Sequence, residues 1–221
     1  MITSTKSAVD LKQDVLDEFD WDPLIESNEV GVQVDDGVVT LTGALENYTK
    51  KWAAERATFR VEGVRAVAND LTVHTKATRT DTDIAKAAAA GLEANMLIPH
   101  DQIDVTVNNG KVTLGGEVTW EYQRKGAAGS VRHLAGVRDV INLVRIKQPL
   151  PSAFDVKAGI ERALVRAAEV DSDKIHVFTE TGTVRLTGTV RSWAEKQAAA
   201  SAAWRANGVT DVINELEIRL F

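Results

Sequence analysis

The sequence predicts an α+β protein built of three tandem αββαβ units, each a three-stranded mixed sheet with two helices on one face. Three observations predict it. Glycines recur in step: Gly37, Gly110 and Gly182 lie 73 and 72 residues apart, and each is followed at the same distances by Gly43, Gly116 and Gly188 and by Gly63, Gly136 and Gly208. Such a period marks a duplicated supersecondary unit. Apolar residues recur every four positions before each first glycine and every two positions around it, the switch from a helical to an extended period. The pairs Asp36-Gly37 and Asn109-Gly110 stand between alternating valine runs, where a two-residue hairpin wants positive φ. The units divide as 1–75, 76–148 and 149–221.

Each unit opens on a helix. Ser7 with Asp10, Thr80 with Asp83 and Ser152 with Asp155 read as capping boxes. The stripes Leu11, Val15, Phe19; Ile84, Ala88, Leu92; and Val156, Ile160, Leu164 form one buried face per helix. Val30, Val32, Val34 and Ile103, Val105, Val107 alternate with polar residues as first strands. Thr181-Gly182 is a weaker form of the same turn. Return strands carry Val39, Leu41; Val112, Leu114; and Val184, Leu186, with threonines facing the other way, so one sheet face is covered and one is wet. Second helices are expected over 48–62, 121–135 and 193–207, each ending near a glycine. Gly-Val then leads into third strands at Val67, Leu71, Val73; Val140, Val144, Ile146; and Val212, Leu216, Ile218. A strand–helix–strand connection of this length favours a right-handed crossover. Units of this size are individually marginal, so they are expected to dock on one another.

Composition bounds the function. The 221 residues are 44% hydrophobic and 26% charged, with a net charge of −6 and no cysteine. That excludes a disulfide framework, thiol catalysis and cysteine-ligated zinc. It also argues against a general nucleic-acid binder, which presents a basic field. No apolar run is long enough to span a membrane. The start has no signal-peptide pattern, so the expected compartment is the cytoplasm, with the periplasm as the alternative if a leader has been removed. Charge is uneven: residues 1–75 carry 7 bases and 14 acids, residues 76–148 carry 10 and 8, and residues 149–221 carry 9 and 10. The middle unit alone favours anionic lipid headgroups or acidic partners.

The run Asp36-Gly37-Val38-Val39-Thr40-Leu41-Thr42-Gly43, followed by Gly63-Val64 and Val67-Ala68-Asn69, resembles the BON (bacterial OsmY and nodulation) domain. The resemblance recurs from Gly110 to Gly116 with Gly136-Val137 and Asn142, and from Gly182 to Gly188 with Gly208-Val209 and Asn214. It covers almost the whole chain. It implies a family associated with osmotic-stress proteins of the bacterial envelope and with phospholipid binding, and not known for catalysis. The shared glycines permit turns and close packing, so recognition is expected where one unit departs from the others.

No catalytic constellation stands out. His74, His100, His133 and His176 fall in four different columns of the repeat, with no metal-ligand spacing. No phosphate-loop motif follows Leu114-Gly115-Gly116. No enzyme activity, cofactor or metal is expected. The binding candidates are Trp120 and Tyr122 at the mouth of the second helix of unit two, with Arg124, Lys125, Arg132 and Arg138 in or just beyond that helix. Trp and Tyr beside basic residues suit a membrane–water interface, or equally a contact between units. Trp52 replaces Lys125 and Gln197 of the other copies, and Phe178 is expected on the open sheet face. Leu143, Leu220 and Phe221 are expected to add exposed apolar surface. The expected function is therefore a stress-associated protein contacting phospholipid surfaces. The alternatives are a cytoplasmic interaction scaffold anchored on Trp52, Trp120 or Phe178, and a small-ligand pocket between units.

Overall fold

A computed structural model describes residues 6–76, 78–148, 153–167 and 170–219. Unit one runs α1 (Ala8–Trp21), β1 (Gly31–Asp35), β2 (Val38–Leu45), α2 (Tyr48–Arg60) and β3 (Ala66–Val73). Unit two runs α3 (Asp81–Glu93), β4 (Ile103–Asn108), β5 (Lys111–Val118), α4 (Glu121–Arg132), β6 (Asp139–Asn142) and β7 (Arg145–Ile146). Unit three runs α5 (Ala153–Arg166), β8 (Ile175–Glu180), β9 (Thr183–Val190), α6 (Trp193–Trp204) and β10 (Asp211–Ile218). A short 3-10 turn precedes each first strand.

The return strand is central in every sheet. It pairs antiparallel with the first strand across the turn and parallel with the third across the second helix. All three turns adopt left-handed pairs: Asp36 and Gly37 at φ 41° and 76°, Asn109 and Gly110 at 50° and 77°, Thr181 and Gly182 at 46° and 82°. Threonine therefore takes the conformation that Asp and Asn accept more readily. Further along the central strand, Gly188 lies so close to the preceding 3-10 turn that a Cβ would meet the Lys174 carbonyl oxygen at 2.0 Å.

The first-helix stripes are buried as their spacing requires: Leu11, Val15, Phe19; Ile84, Ala88, Leu92; and Val156, Ile160, Leu164. They pack on the inward valines and leucines of the sheets, with alanines such as Ala57, Ala127 and Ala203 closing each core from the second helix. Thr80 and Asp83 form the reciprocal box, each side chain taking the other's backbone N–H. Ser7 forms half of one: its oxygen accepts from Asp10 N, while Asp10 is held by the Ser7 hydroxyl. Ser152, Leu220 and Phe221 lie outside the described residues.

Two expectations are corrected. The second helices end two or three residues early, at Arg60, Arg132 and Trp204, because a glycine-containing turn intervenes before the third strand. The third strand of unit two is broken into β6 and β7. The lapse lies opposite Gly115-Gly116, where the other units have Thr-Gly, and glycine weakens a strand interior. Leu143, within the break, is 62% exposed.

Candidate functional site

The three second helices meet, and they meet by one rule. The twelfth residue of each touches the opening turns of another. Arg132 of α4 places its guanidinium 3.9 Å from the ring centre of Trp52 in α2. Arg124 of α4 lies 4.8 Å from the ring of Trp204 in α6. Phe59 of α2 stacks on Trp193 of α6, centroids 4.2 Å apart and 15° from parallel. Unit one thus receives unit two, unit two receives unit three, and unit three receives unit one. The head-to-tail contact closes into a ring. Linker residue Gln148 is buried and ties the last two units: its amide donates to Thr119 O at 2.6 Å, and its oxygen accepts from Gly208 N at 2.6 Å.

The sequence candidates separate within this frame. Trp52, half-buried, has the guanidiniums of Arg56, at 4.6 Å, and of Arg132 over its ring. Arg124 is committed to Glu121 at 2.6 Å and to Trp204. Trp120, half-buried, is the N-cap of α4; it supplies no oxygen, and Gln123 compensates by accepting from both Thr119 N and Trp120 N. Tyr122 is 55% exposed, and Lys125 is exposed with a loose 3.6 Å pairing to Glu121. Arg138 lies exposed against the Gly110 turn. Phe178, 55% exposed, stands on the open face of the third sheet beside Lys157 and Arg185. Residues 122 and 132 are separated by about 15 Å of helix, so the candidates do not form one patch.

Sequence reasoning passed over an exposed apolar tip. After α3 the chain turns through Asn95, Met96, Leu97 and Ile98. Ile98 is buried over Gly126, and Asn95 donates to Ser130 at 3.2 Å. Met96 and Leu97 between them point outward, Met96 almost wholly in solvent. Tyr122, Gly126 and Ser130 share a helical stripe, so this tip stands beside Tyr122. The signal was misleading for Met96, which continues the four-residue step of Ile84, Ala88 and Leu92 but lies beyond the end of α3 at Glu93; only Leu97 is out of register. Unit one exposes Trp21 and Leu24 at the corresponding bend.

Between units one and two lies a cleft of about 560 Å³, bordered by Leu24, Glu46, Lys50, Lys76, Arg132 and His133. His133 Nδ1 and the Thr49 hydroxyl share a 3.0 Å hydrogen bond across it. A second open groove, about 980 Å³, lies inside unit three between α5 and α6 over Gly159, Ala163, Ala198 and Ala202.

Among the described residues the two buried carboxylates, Glu195 and Glu121, have structural partners. Burial pushes Glu195 up, yet the backbone N–H groups of Asp171 and Arg191, with the Arg191 side chain, hold it below the usual carboxylate range. It thereby caps α6. Glu121 pairs with Arg124 and Lys125. Among the described residues no group of three or more His, Asp or Glu is placed to hold a metal, and no helix is long and apolar enough to cross a membrane.

The family model of the BON domain matches residues 7–75, 80–148 and 152–219. Osmotically-inducible protein Y of Escherichia coli (strain K12) is 30% identical over 129 residues, which are 56% of this chain and 64% of that protein. A protein of Anaplasma centrale, named for the 5′ region of gshII, is 27% identical over 125 residues, 54% of this chain and 83% of its own. Among solved structures, CdsD, a structural protein of the type III secretion system of Chlamydia trachomatis, aligns over 96% of this chain and 93% of its own at 18% identity and a TM-score of 0.28. The C-terminal domain of CdsD aligns over 97% and 100% at 17% identity and a TM-score of 0.27.

Proposed function

Because the chain belongs to the BON domain family in all three of its units, we propose that it is a non-enzymatic protein of the osmotic-stress response that contacts anionic phospholipid surfaces through its middle unit. The likeness to an osmotically inducible protein supports the stress association. The observation that carries the lipid contact is the tip of unit two. Met96 and Leu97, 98% and 68% exposed, stand beside Tyr122 with Lys125 one turn further along α4. Apolar side chains that enter the acyl boundary, an amphipathic ring at headgroup depth and a cation for the surface field are the elements of interfacial binding. Trp120 borders the same end of α4, whereas Arg124 and Arg132 act within the seams between units.

The test is co-sedimentation with vesicles rich in anionic phospholipid. Retention is expected at low salt, falling as salt screens the surface and weakening several-fold in the double variant Met96→Ser, Leu97→Ser. Vesicles that fail to retain the protein at low salt refute the reading.

One observation favours a second reading. Phe178 is exposed on an uncovered sheet face with Lys157 and Arg185 beside it, an arrangement suited to an aromatic anchor for an acidic protein partner. Loss of a purified partner's binding in Phe178→Ala, with vesicle retention absent, would favour it.

A further inference from the structure

Arg132 is a cation without a counter-charge. Its Nε is buried and has no hydrogen-bond partner. No carboxylate among the described residues pairs with it. Its neighbours in charge are Arg56, a second cation, and the neutral Tyr48 hydroxyl. Burial, with the repulsion of Arg56, draws its guanidinium below the ordinary range, and Tyr48 opposes this only partly. A buried charge left unpaired is costly. Stacking on Trp52 satisfies one face of the guanidinium, but it leaves the in-plane N–H fork unused and fixes its orientation.

The surroundings of that fork are also specific. The cleft that Arg132 lines takes Lys50 and Lys76 from unit one and His133 from unit two. Lys50 is held by Glu26 and Glu29, and Lys76 by Glu46. Glu46 is the one carboxylate lining the cleft among the described residues, and it is already paired. Arg132 is thus the cation lining the cleft that no carboxylate among the described residues pairs with, whereas Lys50 and Lys76 are each held by glutamates. A guanidinium with a free planar edge matches a phosphate geometrically.

We propose that the cleft between units one and two binds a small phosphate-bearing anion, gripped by the Arg132 fork with His133 beside it. The proposal does not depend on the lipid-facing tip, whose anchors on α4 are Gly126 and Ser130. The same phosphate chemistry is offered by a free phosphomonoester and by a phospholipid headgroup. Both units line the cleft, so the anion would add to the linkage between them.

The test uses the full chain and follows the Arg132 Nε–H resonance in a ¹⁵N–¹H spectrum, assigned by its disappearance in Arg132→Lys. Inorganic phosphate and glycerol phosphate are titrated at constant ionic strength against chloride. A saturable shift at millimolar phosphate is expected, with affinity lowered about tenfold in Arg132→Lys, which retains charge but loses the fork. A shift produced by phosphate-headed vesicles and not by the soluble phosphates identifies the source as a headgroup. A shift that fails to saturate, or that chloride reproduces, overturns the proposal, as does no shift with any phosphate. The wild-type titration decides between these outcomes even if the variant fails to fold. A protein that binds phosphate at Arg132 but is not retained by vesicles would refute the lipid reading alone.

Discussion

Truncating Phe59 or Trp193 tests whether the chain closes on itself. These rings form the seam between the first and last units, the one contact that linker connectivity does not impose. Centroids 4.2 Å apart at 15° describe a stacked pair, worth about 0.5–1.5 kcal/mol beyond the area it buries. A double-mutant cycle of Phe59→Ala and Trp193→Ala in thermal unfolding should return a coupling of about 1 kcal/mol, or roughly 2–4 °C for a chain of this size. Solution scattering supplies a second readout. A chain of 221 residues folded as one body has a radius of gyration of about 17 Å. Opening the ring leaves three units in a loose row, which raises it by several ångströms. A coupling below about 0.3 kcal/mol together with an unchanged radius in both variants would show that the two rings do not meet.

Two further perturbations address single units. Gly188→Ala places a Cβ 2.0 Å from the Lys174 carbonyl at φ 118°; it should destabilise unit three by about 2 kcal/mol or more, seen as earlier loss of protection in hydrogen exchange across β8 and β9. Glu195→Gln should cost about 1–3 kcal/mol near neutral pH, since two backbone N–H groups and Arg191 lose a charged acceptor. The folded carboxyl is held below its ordinary value. Its contribution is therefore present above the unfolded value of about 4.3 and is lost as pH falls through the folded one. Melting curves of wild type and variant should converge in that acid window, and a gap that stays constant would contradict a charged acceptor at Glu195.

The sequence was informative wherever a constraint is local. Asp36-Gly37 and Asn109-Gly110 announce their turns because few side chains accept positive φ, and the third turn at Thr181 was placed by repetition rather than by its own chemistry. First-helix stripes were equally legible, since burial imposes their spacing. The seams were not. Phe59, Arg132 and Trp204 occupy one column as two aromatic rings and a cation, because each is matched to a different neighbour, so no common residue along the chain marks them as contacts. Trp120, Arg124 and Arg132 read as one basic-aromatic patch in sequence, but a helix carries them to different ends and different seams. Met96 and Leu97 were hidden by proximity to the buried residues Leu92 and Ile98; Met96 even continues the four-residue step, and it is exposed because α3 has already ended at Glu93.

Closure within a single polypeptide frees its junctions from symmetry. Three identical subunits arranged this way would have to repeat one residue pair at every boundary, and any substitution would strike all three together. Here the boundaries have diverged into an arginine on an indole, an indole beneath an arginine on the opposite partner, and two aromatic rings. Each segment is thereby keyed to its own place in the order. A permuted gene exchanging the second and third segments would set Phe59 against Glu121 and Arg132 against Lys196, and should assemble poorly though every segment could still fold.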